Sequence, residues 1–313
     1  MPLRRNGLKI GDIEDRPDGG MGSTMVRGSG EGPHTIDWRR SLAARNARTR
    51  GRRHHPVFRI RDELSPRWRM SLTLVGLVVP LMIWLFMATS GSATVLVPSP
   101  GAALESIGRM WNDGTLTGDV WASFRRILIG YAISMAIAVV LGVLMGSFRS
   151  AESFLEAPIA FMRYVPATAL VPLMLFWLGI DETPKIALIV IGSVFFNVLM
   201  VADVVRNVPK ELISAAYTLG AGRLRVLRQV ILPHSTPGII DVARINLAAA
   251  WAILVVAELL AAEEGLAFRI VRAQRFRQID DMFAILIIFG IIGVATDLSL
   301  RWFRNRAAPW ARP

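Results

Sequence analysis

The sequence contains no cysteine, so neither a disulfide framework nor a thiolate metal site is available to it. Histidine is scarce as well. His34, His54, His55 and His234 are too scattered for a metal cage, and no metal ligand is assigned. Lysine occurs only at Lys9, Lys185 and Lys210. A phosphate-binding P-loop needs a glycine-rich turn ending in Gly-Lys-Ser or Gly-Lys-Thr, because its lysine reaches the terminal phosphates. Leu8, Pro184 and Pro209 precede the three lysines, so none belongs to such a loop and the chain is not expected to hydrolyse ATP alone. No set of nucleophile, base and orienting acid stands out either. No catalytic or cofactor-binding residue is assigned, and the chain is not read as an enzyme.

What is abundant is apolar. Hydrophobic residues make up 53% of the chain and gather in long runs. Between Ile127 and Met145, and again between Ile186 and Ala202, no charged residue occurs. A soluble core helix rarely tolerates apolar character on every face, so these runs point to lipid as the solvent. Six segments approach the roughly 20 residues that a spanning helix needs, at about 71–90, 123–146, 157–178, 185–204, 239–262 and 282–302. The expected fold is an all-α membrane protein, a six-helix transmembrane bundle over residues 70–304, with a short tail at 305–313.

The net charge of +12 is carried largely by the N-terminal tail and by segments flanking the runs, so nucleic acid is not expected as a partner. In residues 1–69, Arg39, Arg40, Arg45, Arg48, Arg50, Arg52 and Arg53 sit among Gly, Ser, Pro and Asp, a composition that cannot bury a core. This tail is expected to be mostly disordered. It reads as a topology-setting segment that touches anionic lipid, or as a protein- or nucleic-acid-binding arm. The first apolar run begins near residue 71 and lacks the short core and cleavage site of a signal peptide. With six spans, the tail, the 205–237 segment and Arg301, Arg304 and Arg306 fall on one side, expected to be the cytoplasm, with both termini there. One loop disagrees: Arg269, Arg272, Arg275 and Arg277 fall on the outer side.

Individual spans carry their own signals. Gly130, Ser134, Ala138, Gly142 and Gly146 recur at intervals of four in the second span, leaving one flat face for close packing within or between subunits. In the third, Pro158, Pro166 and Pro172 interrupt the ladder, as tolerated where a helix bends around a cavity or another protein surface. Leu104, Ile107, Met110 and Trp111 recur at helical spacing after Pro100, predicting a short amphipathic helix at the outer interface, either a lid or docking surface or simple packing. Asn197, Asn246 and Glu258 lie within apolar runs, where polar groups are costly unless paired or wetted. With Arg163 and Trp251 they are the candidate pathway or gate residues, a structural hydrogen-bonded role for Glu258 remaining open. Asp297 and Arg301, four apart, are expected to pair.

Residues 208–234 are predicted to hold two short amphipathic helices. The first lies between Pro209 and Gly220, with Leu212, Ala215, Ala216 and Leu219 as its apolar stripe. The second carries Leu224, Leu227, Val230 and Ile231 and is stopped by Pro233. They read as docking elements or as packing beneath the bundle. Ser214, Ala215 and Ala216, then Gly220, then Val230, Leu232 and Pro233 resemble the EAA loop of permease subunits of binding-protein-dependent ABC importers. Ser214 stands where that pattern has Glu, and Val230 where it has Ile. The resemblance covers about residues 96–303. It looks closest to the nitrate, sulfonate, taurine and bicarbonate group, through Leu96 to Pro100, then Arg163, Pro166, Leu170, Pro172, Leu173 and Trp177 to Gly179, and then Ala250, Trp251 and Glu258.

The resemblance implies a type I importer permease of the inner membrane whose 208–234 segment forms cytoplasmic coupling helices. It further implies two copies of an ABC ATPase subunit that binds ATP and Mg, a periplasmic or lipid-anchored solute-binding protein, and a second permease copy as a homodimer. The implied cargo is a small oxyanion such as a sulfonate, taurine, nitrate or bicarbonate, with a neutral or cationic nutrient as the alternative. A carrier driven by an ion gradient would instead need an intramembrane ion site and usually an inverted repeat, neither of which is evident.

Overall fold

The computed structural model describes residues 65–90 and 96–311, and every regular element among them is helical. The expectation for the basic tail lies almost wholly outside the described residues. The chain divides into two units, Met1–Leu74 and Val75–Pro313. Among the described residues, the first contributes the opening turns of helix α1 (Pro66–Thr89), which begins on a proline suited to a first helical turn and leaves residues 66–74 exposed. In the second unit, α1 continues through Pro80, and Trp84 stacks on Phe283 at 5.7 Å while its indole N–H donates to the Pro98 carbonyl at 2.9 Å.

Helix α2 (Pro100–Asn112) is capped by Ser99, whose hydroxyl accepts from the Ala102 N–H at 3.1 Å. Its Met110 joins Leu116, Leu266, Ala284, Ile285 and Ile288 in one buried cluster, while Leu104 and Trp111 stay exposed. Helix α3 (Thr115–Ser147) follows and is 33 residues long. The segment expected as a single third span over 157–178 is two pieces. Helix α4 (Arg149–Met162) and a second piece, Ala167–Leu178, meet at 78°. The second piece opens as a 3-10 turn (Ala167–Leu170) and becomes α5 (Val171–Leu178). Pro166 has an extended backbone, and it lacks the N–H that a continuing ladder would need.

Helix α6 (Glu182–Arg206) packs along α3, and the two run in the same direction. Four of the five ridge residues of α3 are seen to meet the residue 59 positions later. Ser134 accepts from Ser193 at 2.8 Å, Gly130 faces Ile189, Gly142 faces Val201 and Gly146 faces Val205. A Cβ at Gly142 would lie 2.7 Å from Val201, and one at Gly146 2.6 Å from Val205, so side chains at these positions would have no room. The flat face of α3 thus lies against a helix of its own chain.

Helix α7 (Lys210–Thr218) and a four-residue turn α8 (Arg223–Val226) lead into a π-helical stretch (Leu227–Ile231) and then α9 (Leu232–Ala261). The second short helix expected to stop at Pro233 does not stop there. A proline in a regular α-helix clashes with the carbonyl four residues back. Here the turn ahead of it is widened, with the Leu232 N–H bonded to the Leu227 carbonyl, and the helix runs on. After α9, α10 (Leu266–Arg275) lies across the bundle end and α11 (Ile279–Ala307) returns, followed by a 3-10 turn (Pro309–Ala311). Among the described residues five helices are long and apolar enough to cross a membrane, and the bent α4/α5 pair makes six if it counts as one span.

Candidate coupling and translocation sites

The 208–234 segment sits at the end of α9 opposite to α10, and α9 itself is 30 residues long, about 45 Å. Its α7 ends in a Schellman turn. The Ala221 N–H bonds the Ala216 carbonyl at 3.0 Å, the Gly220 N–H bonds that of Tyr217 at 2.9 Å, and Gly220 has φ 78°. The predicted apolar stripe is split between two faces. Ala216, with Ile213, packs on the cluster of Val205, Val208, Val226 and Ile231, whereas Leu212 and Leu219 are 45% and 86% exposed. Ser214 and Ala215 are exposed as well, Val230 and Leu232 pack at the cluster's edge, and Pro233 lies in the helical path itself. The result is a short helix anchored by one face that offers Leu212, Ala215, Tyr217 and Leu219 outward.

Within the bundle, Asn197 is fully buried. Its amide donates to Ser134 at 3.1 Å, and its carbonyl accepts from Asn246 at 2.8 Å. These residues tie α3, α6 and α9 together at mid-bundle. Trp251 stacks edge-on against Phe289 and lines an apolar groove of about 740 Å³ between α3, α9 and α11, along with Phe124, Tyr131 and Leu247. No charged side chain lines this groove. Arg163 stands apart at the break between α4 and α5, its guanidinium donating to the Tyr164 hydroxyl at 2.9 Å. The structure therefore distributes the five candidate pathway residues over four places rather than one. Asp297, expected to pair with Arg301, meets it at 3.6 Å but is nearer to Arg244, at 3.0 Å.

Glu258 belongs to a buried ionic network built largely from residues with no expectation attached to them. Arg126 on α3 has no exposed surface. It donates to both oxygens of Glu182 at 2.7 Å, to Glu258 at 2.8 Å and to the Glu264 carbonyl at 2.7 Å. Lys185 and Arg125 also meet Glu182, at 2.8 Å and 3.3 Å, and Glu264 approaches Arg126 at 3.8 Å, so three cations face three carboxylates in this cluster. Asp119, Ser123 and Arg126 share one face of α3 at spacings of four and three, and this strip receives the start of α10. The Gly265 N–H bonds Asp119 at 2.9 Å, the Leu266 N–H bonds Ser123 at 2.9 Å and the Ala267 N–H bonds Glu258 at 3.0 Å, while Arg269 pairs with Asp119. Donors that a helix start leaves unpaired are thus satisfied by side chains of other helices. A Cβ at Gly265 would lie 2.6 Å from the Glu258 carboxyl, and its φ of 127° also favours glycine. The helical spacing of Asp119, Ser123 and Arg126 was the available signal.

This geometry has counterparts among known proteins. Residues 134–310 match the family described as binding-protein-dependent transport system inner membrane component. A probable ABC transporter permease protein of Brucella melitensis is 36% identical over 241 residues, covering 77% of this chain and 97% of that protein. The taurine transport system permease protein TauC of Escherichia coli is 35% identical over 258 residues, covering 79% and 94%. Among solved structures, the MetNI methionine ABC transporter in an inward-facing conformation superposes with a TM-score of 0.56 at 19% identity, over 61% of this chain and 95% of that one. A bacterial ABC transporter involved in the import of the acidic polysaccharide alginate gives 0.56 at 12% identity, over 76% and 96%. These two likenesses bear on the fold. The sequence matches, falling on residues 208–234 and the spans around them, go further: this chain belongs to the binding-protein-dependent family, as an inner-membrane permease subunit of an ABC importer.

Proposed function

We propose that this permease carries a small sulfonated or similar oxyanion solute into the cytoplasm, driven by ATPase subunits that dock on residues 208–234. The observation that carries the coupling part is α7, held to the bundle by Ile213 and Ala216 and turned by Gly220 so that Leu212 and Leu219 face outward. A helix that packs on one side and exposes leucines on the other is suited to a protein groove. In this reading ATP and Mg bind the ATPase pair, the coupling segment and both termini face the cytoplasm, and two permease copies enclose the pathway. A solute-binding protein delivers the cargo to the opposite face, at the α10 end of α9. The oxyanion assignment is supported by relatives named for taurine and aliphatic sulfonates. Arg163, at the break between α4 and α5, is the cationic candidate on the pathway.

The test is uptake into vesicles that hold the permease with its ATPase and binding protein. Taurine and an alkanesulfonate should enter only with ATP inside. Uptake confined to neutral or cationic solutes would refute the substrate assignment while leaving the coupling intact.

A further inference from the structure

The arginines of the α10 segment run against the usual placement of positive charge. Arg269, Arg272, Arg275 and Arg277 lie within the fifteen positions from Gly265 to Ile279 that hold no carboxylate, at the end of α9 away from the coupling segment. Arg269 is accounted for by Asp119. Arg272, Arg275 and Arg277 are exposed, and among the described residues none of them forms an ion pair. Leu266, Ala267 and Ala273 form the buried face of α10, and at 100° per residue Arg272 and Arg275 project from the opposite face. Phe276, 67% exposed, lies beside them. The nearest carboxylates in sequence are Glu263 and Glu264 before the helix and Asp280 and Asp281 after it. Of these, Glu264 approaches Arg126, and Asp281 is engaged by Ser106 and Arg109.

The helix is also fixed in place. Three consecutive backbone N–H groups at its start are held by Asp119, Ser123 and Glu258, all buried, and its inner face is packed on α11. Its exposed cations are therefore presented from a rigid base instead of a loose loop. Uncompensated arginines beside an exposed aromatic ring, on a pre-organised helix, have the make-up of a protein interface.

We propose that this face of α10 is a docking surface for an acidic patch on the solute-binding protein, with Arg272, Arg275 and Arg277 as its electrostatic contacts. This rests on the reading of the chain as an importer permease whose coupling segment faces the cytoplasm. The favoured partner is a soluble protein that arrives by diffusion, because unpaired like charges raise the encounter rate with an oppositely charged surface and select its orientation.

The experiment uses the assembled permease and ATPase in nanodiscs of neutral phosphatidylcholine and the cognate solute-binding protein. Binding is measured for wild type and for Arg272→Glu/Arg275→Glu, with Arg272→Gln/Arg275→Gln as the milder variant. Basal ATP hydrolysis reports on intact assembly. The charge reversal should weaken docking about tenfold at low salt, the neutral variant less, with the gap narrowing as salt rises. Reversing an acidic residue on the binding protein should restore part of the loss. Wild type that binds while both variants bind equally well would overturn this proposal alone. Wild type that does not bind in any lipid would overturn the proposed outward placement of this face together with the docking surface. A difference that appears only in discs containing anionic lipid would assign the arginines to headgroups and likewise overturn the docking surface.

Discussion

Arg126 and Glu258 meet at 2.8 Å with neither side chain exposed to solvent, joining the second span to the fifth. Removing one partner of a buried pair leaves an uncompensated charge and typically costs about 3–5 kcal/mol. Arg126→Met should therefore lower the thermal stability of the purified permease sharply, whereas Glu258→Gln, which keeps an acceptor for Ser123, should lower it less. A melting temperature for Arg126→Met equal to that of wild type would show that the network contributes nothing.

The contact of Gly142 with Val201 leads to a second expectation. A leucine at position 142 places a branched chain where the α6 side chain already sits, and overpacking costs about 1–3 kcal/mol. Gly142→Leu should reduce the yield of folded permease. Val201→Ala in the same chain should recover part of it. Val140 is 60% exposed, so Val140→Leu should be tolerated. Equal yields from Gly142→Leu and Val140→Leu would remove the packing argument.

Gly220 closes α7 in the left-handed region, which costs a non-glycine residue about 1–2 kcal/mol. Gly220→Asn should be nearly silent and Gly220→Val disruptive, although no atom lies within 4 Å of the site where a Cβ would be. Sedimentation of the ATPase with membranes, together with ATP-driven uptake, separates the two. Both should fall in Gly220→Val, and their persistence there would argue that the turn does not position the coupling helix.

Deleting residues 1–60 should leave an assembled complex able to transport, with a lower insertion yield from the loss of tail arginines. A correctly inserted truncation without uptake would give the tail a part in the cycle.

Much of the bundle was legible because lipid imposes a simple rule, long apolar runs, and because the ridge of small residues repeats every fourth position. Its partner was not legible. That Gly142 meets Val201 depends on how α4 and α5 return the chain, which no local pattern encodes. Pro233 misled for a related reason. The rule that proline ends a helix assumes α geometry, and the π stretch from Leu227 to Ile231 relaxes that assumption. The ionic network went unread because its members are far apart in the chain: Asp119, Ser123 and Arg126 meet Glu182, Glu258 and the start of α10 only once the bundle is folded. In the structure these residues are covered by α10, a segment read from the sequence only as a loop carrying Arg269, Arg272, Arg275 and Arg277.

The parallel alignment of α3 with α6 has a mechanical meaning. Two ridges that interlock residue by residue do not glide; the next equivalent seating lies one full turn away, about 5.4 Å. Such a step would drive the Cβ of Ala138 toward Val201, where a glycine now gives way. The pair therefore acts as a keyed shaft, and the proposed transport cycle would draw its compliance from the two places where the helical path is already irregular: the elbow at residues 163–166 and the widened turn ahead of Pro233.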